Sequence, residues 1–200
     1  MSIEFLLTAF VVCLAPGIGV VYTLSVTLGQ GLRGGLWAAF GCSVATLAHM
    51  AVAMAGLAAV LHSSAVLFQA VKYAGVAYLM WMAWGTLRGT GGLQISAAAP
   101  QPLVQIVRRG ILLNLLNPKL PMFFMAFLPQ FMAPTDGTGV MLGLGLAFAG
   151  MTSAVFVGYA MLAASGRQAV LGRPAVMAWM RRAFAASFAA LGLRLALERA

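Results

Sequence analysis

Asn114, Asn117, Pro118 and Lys119 fall close together within Arg108 to Met132, a stretch otherwise apolar and long enough to cross a bilayer. A proline has no N–H, and its ring clashes with the carbonyl four residues back. Pro118 therefore frees the carbonyl of Asn114, and Pro121 frees that of Asn117. Hydrocarbon offers no partner for such groups, so they must be met inside protein or by a water-filled cavity. A helix broken at this depth points to a binding site.

The chemistry these residues offer is recognition of a zwitterion. The amides of Asn114 and Asn117, with the freed carbonyls, suit an ammonium group. Their other reading is hydrogen bonding that closes the helix break. Lys119 lies ten residues beyond Arg109, ~15 Å deep if helical. Its charge suits a carboxylate, yet Glu4, Asp136 and Glu198 all lie near or beyond span ends. It either meets a substrate carboxylate or snorkels to the headgroups. Pro16-Gly17 makes a second break in the first apolar run. His49, the one ionisable group in the second run, titrates in a range that suits proton coupling. Its alternative is a neutral imidazole bonded to a carbonyl.

Composition sets the frame for these groups. With 62% hydrophobic and 8% charged residues among 200, the chain lies outside the soluble range and reads as an integral membrane protein. The net charge of +9 comes from Lys and Arg at the ends of apolar runs, which fits the positive-inside rule and anionic headgroups. No basic patch interleaves with aromatics, so nucleic acid is not expected as a partner. Cys13 and Cys42 lie in apolar runs and read as small packing residues, not as a disulfide or metal pair. No cofactor is called for. The N-terminus has no basic region, so the first span itself is expected to direct insertion.

The expected fold is all-α, with six transmembrane helices over about 3–28, 35–61, 65–87, 110–132, 138–165 and 183–197. Gly29 to Gly34 forms the first turn, and 88–107 is a linker rich in Gly, Ser, Ala and Pro. Gly41, Ser43, Ala45 and Gly56 give the second span small residues for close packing, and Gly143, Gly145, Gly150 and Gly158 recur in the fifth. The last span is the shortest, and five spans is the rival count.

Orientation follows from the basic residues near span ends. Arg33, Arg88, Arg108, Arg109, Arg167, Arg173, Arg181 and Arg182 share one side. Arg194 and Arg199 lie on the other, with Lys72 if it reaches the interface. Both termini are therefore expected outside the cytoplasm. Trp37, Trp81, Trp84 and Trp179 fall near the cytoplasmic interface. The linker at 88–107 separates two three-span halves, 1–87 and 108–200, of opposite topology, each opening with a broken span. That is the pattern of inverted repeats. Both breaks come ~10–12 Å from the cytoplasmic surface at 1.5 Å per residue, where they can face one cavity.

The chain resembles the LysE/RhtB family of bacterial amino-acid exporters. The resemblance rests on Ala15-Pro16-Gly17, Lys72-Tyr73-Ala74-Gly75-Val76-Ala77-Tyr78-Leu79, Arg109-Gly110, Asn114-Leu115-Leu116-Asn117-Pro118-Lys119, Phe127-Leu128-Pro129-Gln130-Phe131 and Gly192-Leu193-Arg194-Leu195. Two departures stand out. Ile18 replaces the second proline of a Pro-Gly-Pro, and Ala45 to His49 lacks the acidic residue that relatives often carry. The resemblance implies export of small amino acids or close derivatives across the bacterial inner membrane, driven by the proton gradient.

The absence of span carboxylates disfavours basic substrates and leaves neutral or hydrophobic amino acids, or homoserine-like compounds. An exporter of another solute or a cation is the main alternative, though a metal would need a Cys/His or carboxylate cluster with ligand spacing. An intramembrane enzyme would draw on Ser43, Ser153, His49 and Cys13, which no motif brings together. Two coordinated helix breaks disfavour a purely structural module. Assembly into a homo-oligomer is left open.

Overall fold

The computed structural model describes residues 1–14, 17–61, 97–117, 127–133 and 136–166 as continuous stretches, the backbone alone at 57–61. It adds single positions within 70–88 and 179–197, together with 120 and 124. All regular structure among the described residues is helical. Helix α1 is Ile3–Leu14, α2 is Ile18–Leu61, α3 is Leu103–Leu115 and α4 is Thr138–Ser165, with a 3₁₀ turn at Leu128–Phe131. The third and sixth expected spans fall largely outside the described residues.

Helix α2 is a hairpin. In a straight helix Gly19 and Cys42 would be ~34 Å apart, yet the Cys42 thiol lies 3.8 Å from the Gly19 carbonyl. The fold-back occurs at Gly31, whose φ of 74° and ψ of −174° fall in a region essentially reserved for glycine. The turn is thus narrower than the six-residue Gly29 to Gly34 stretch. A Cβ at Gly31 would meet nothing within 4 Å, so only backbone strain opposes substitution. Gly31→Ala is expected to lower stability by ~1–3 kcal/mol, read as an earlier thermal unfolding midpoint in detergent.

Small residues let α3 cross the returning arm of α2 closely. A Cβ on Gly41 would sit 2.6 Å from the Val107 carbonyl, and one on Gly110 would sit 3.1 Å from the Ala38 carbonyl. Without a hydrophobic drive between helices in lipid, such close backbone approach supplies the packing. Gly145 of α4 receives Met50 in the same way, whereas Gly56, Gly143, Gly150 and Gly158 face open space. Helix α3 begins right after Pro102, which cannot continue a helix backward, so Arg108 and Arg109 lie in its middle. Just before it, the Ala98 N–H donates to the Ser25 carbonyl, and Ala98 rests directly on Gly29.

The other side chains place the membrane face. Leu7, Phe10, Phe40, Val52, Leu146 and Met161 are exposed although the core is also apolar. A helix apolar on every side is either buried in a large core or spans a membrane, and these side chains are not buried. Trp37, Trp81, Trp84 and Trp179 are exposed as well, and Arg88 stacks 4.3 Å over the Trp84 ring. Phe5, Phe127 and Phe131 stack where α1 begins, with centroids 4.6–5.9 Å apart.

Candidate functional site

Two helix interruptions meet at one cavity. The α1 helix ends at Leu14, and α2 begins at Ile18. The orphan carbonyl of Leu14 accepts a 2.7 Å hydrogen bond from the Tyr159 hydroxyl of α4. The first bond of α2 runs from the Val21 N–H to the Gly17 carbonyl at 3.1 Å. The N–H groups of Ile18 to Val20 therefore form the helix's donor end.

Opposite them, α3 gives way after Leu115 to a turn at Leu116 (φ −79°, ψ −1°), with the Asn117 N–H donating 3.2 Å to the Asn114 carbonyl. Residue 118, being proline, has no N–H to offer that carbonyl. The His49 ring takes the place, its Nε2 at 2.9 Å. A carbonyl only accepts, so Nε2 carries the proton in this contact. The histidine and the freed carbonyl, separate features in the sequence, are one structural unit.

The Asn114 side chain is fully buried. Its Nδ2 donates to the Cys42 carbonyl at 2.8 Å and approaches Thr46 Oγ1 at 3.5 Å. Its Oδ1 faces Gly19 and Asn117, whose Nδ2 is 3.5 Å away. A Cβ at Gly19 would stand 3.1 Å from that oxygen and 3.0 Å from the Phe156 ring, so glycine is what admits the amide here. The Cys42 thiol, directed at the carbonyls of Gly19 and Gly110, ties α2 and α3 at this level. Tyr22, reaching the Ile106 carbonyl at 2.8 Å, does so a turn further on. Both tyrosines thus bond to backbone of other helices, in keeping with packing roles.

The cavity between these elements has a volume of about 30 Å³. Its walls include Gly17, Gly19, Asn114 and Asn117, joined by Cys13 and Thr152. At ~10–15 Å³ per water it holds two or three waters, less than an amino acid with five or more non-hydrogen atoms. In this conformation the space between the described residues is smaller than an amino acid.

Of the sequence candidates, Gly17, Asn114 and Asn117 line this cavity, and His49 touches it through Asn114. Pro16, Pro118 and Lys119 lie outside the described residues. Sequence reasoning missed Gly19, Thr152 and Phe156. Thr152 had one available signal, a polar residue in mid-span. Cys13, read as packing, lies 3.2 Å from the Thr152 hydroxyl. Ser43 and Ser153 donate to their own helices at Ala39 and Ala149, away from His49. Among the described residues, no three His, Cys, Asp or Glu gather as metal ligands.

The chain is 33% identical over 204 aligned positions to an uncharacterized membrane protein of Vibrio cholerae, covering 99% of this chain and 97% of that protein. It is 30% identical over 197 positions to the homoserine/homoserine lactone efflux protein of Salmonella typhimurium, covering 98% and 95%. It is 31% identical over 145 positions to the leucine efflux protein of Enterobacter, covering 69% and 68%. No solved structure matches it significantly. The model of the LysE type translocators matches residues 10–199, and with relatives of this identity and coverage the chain belongs to that family of membrane transporters.

Proposed function

We propose that the protein exports small neutral amino acids from the cytoplasm by alternating access around the cavity between Gly17 and Asn114, in exchange for protons. The observation that carries this reading is the meeting of two helix ends, with opposite polarity, at one buried polar pocket. The donor end of α2 at Ile18 to Val20 and its dipole favour a carboxylate. The Asn114 Oδ1 favours an ammonium group. Lys119, next to Pro118 in the chain, is assigned to the same carboxylate, and Pro16 and Pro118 to keeping both breaks open. The relatives named for homoserine and leucine efflux support a neutral substrate.

In this reading the chain forms six spans as two inverted three-helix halves, with a cytoplasmic linker that ends at Pro102, where α3 begins, and both termini outside the cytoplasm. Opening one side admits the amino acid, and the contracted state separates the two openings. His49 is assigned to carry the proton, since it grips the carbonyl at the break and an imidazole can take up and release a proton.

The test is efflux of labelled amino acids from proteoliposomes with and without an imposed proton gradient. Wild type is expected to move neutral amino acids faster with the gradient, and Lys119→Ala to move them at least about tenfold slower. His49→Gln keeps a donor for the Asn114 carbonyl but cannot titrate. It is expected to retain efflux and lose its response to the gradient. A gradient response preserved in His49→Gln would remove the histidine from coupling, and no efflux of any amino acid from folded protein would end the exporter reading.

A further inference from the structure

We propose that residues 97–102, the last part of the linker, are a latch. Docked on α2 at Ser25 and Gly29, they hold the seam between α2 and α3 shut, and they must lift before the cavity opens toward the linker side. The assignment rests on the export reading above and adds to it the element that closes one of its two openings.

The seam runs from the cavity to this segment. It begins where Asn114 packs on Gly19, and it continues where the Tyr22 hydroxyl bonds the Ile106 carbonyl. Next come Val26, Ala38 and Ile106, a fully buried cluster against which Ala98 and Leu103 pack. It ends at Ala98, whose N–H donates 3.0 Å to the Ser25 carbonyl and whose own carbonyl lies against Gly29. From Gly19 to Gly29 is ten residues of helix, ~15 Å. Parting α2 from α3 along that length would give the cavity a mouth at the latch.

The segment is stiff and lightly held, as a latch must be. Ala99 precedes Pro100 and Gln101 precedes Pro102, which biases both toward extended backbone. Pro102 is itself extended, at φ −59° and ψ 146°, and leads straight into α3 at Leu103. The hold on α2 is by backbone, through the one hydrogen bond and the contact at Gly29, and Ala97, Ala99 and Pro100 are exposed. A Cβ at Gly29 would overlap the Ala98 backbone, so glycine at this position is a condition of docking. Helix α3 carries the latch at one end and Asn114 near the other, twelve residues from Pro102, or ~18 Å. A helix is rigid over that distance, so lifting the latch frees the same rod that places the amide in the cavity.

Cys13, in the cavity wall, reports the opening. A membrane-impermeant maleimide is added to sealed vesicles of each orientation, and peptide mapping separates labelling of Cys13 from that of Cys42. Gly29→Val unseats the latch and is expected to speed Cys13 labelling by about fivefold or more from the linker side alone, the shift that loss of a backbone hydrogen bond and its neighbouring contact allows. Gly56→Val makes the same change in α2 where a Cβ meets nothing, and is expected to label as wild type does. Labelling unchanged in Gly29→Val, or raised equally from both sides as in a loosened fold, would overturn the latch. The converse arm ties it down. Ser25→Cys with Ala98→Cys, bridged by a short reducible thiol cross-linker, is expected to lose amino-acid efflux at least about tenfold and to regain it on reduction, while each single variant stays active under the same treatment. Full efflux with the bridge in place would also overturn the latch. Failure of folded wild type to move any amino acid would end the export reading, and the labelling result would still decide whether this segment gates the cavity.

Discussion

Asn114→Ala is expected to lower amino-acid efflux by about a hundredfold and to cost ~1–3 kcal/mol of stability. The stability part follows from burial. The amide is bonded at 2.8 Å to the Cys42 carbonyl and packed against Gly19, and truncation removes that bond and leaves a void. The transport part follows from charge. Hydrogen bonds to ionised groups are worth ~1.5–3 kcal/mol each, and losing the ammonium contact together with the positioning of Asn117 removes two. At 1.4 kcal/mol per tenfold, the lower end of that range is about two orders of magnitude. Asn117→Ala separates the two parts. Its side chain is only half buried and 3.5 Å from Asn114, so efflux should fall with little change in the unfolding midpoint. Substrate binding by both variants equal to wild type would return the two amides to closing the helix break.

The second large effect concerns the break itself. His49→Leu removes the donor to the Asn114 carbonyl and is expected to cost ~1–3 kcal/mol, the penalty for a buried polar group losing its main partner. Pro118→Ala supplies a new N–H four residues after Asn114 and allows the helix to run on. By itself it should cut efflux at least about tenfold, because a continuous helix closes the site. Combined with His49→Leu it should recover most of the lost stability, since the new N–H takes the place of the imidazole at the carbonyl. The unfolding midpoints of the four proteins form a double-mutant cycle. Additive changes would show that His49 and residue 118 do not compete for that carbonyl.

These substitutions trace how much of the site can be read along the chain. Pro16-Gly17 and Asn117-Pro118 mark breaks by covalent structure alone, because a ring without an N–H acts on its own neighbours. Helix α1 does stop at Leu14, and α3 does end at Leu115. Apolar composition indicates the membrane, and Gly41 signals close packing, where the structure puts it against Val107. The bounds of α4, Thr138–Ser165, coincide with the expected fifth span.

What only the tertiary structure decides is which side chains share the cavity. His49 meets a carbonyl 65 positions away, Cys13 meets a hydroxyl 139 away, and Tyr159 reaches a carbonyl 145 back. Each depends on how a helix is rotated and at what height it crosses its neighbour. In a soluble helix the apolar stripe announces that rotation. Here lipid is as apolar as the core, so α4 is hydrophobic on its buried and exposed faces alike, and no periodicity points Thr152 inward. The sequence determined where the helices break and what chemistry is available there, since both are local. The pairing of Asn114 with His49, and of Thr152 with Cys13, came from packing between distant segments, where small residues and backbone approach set the register.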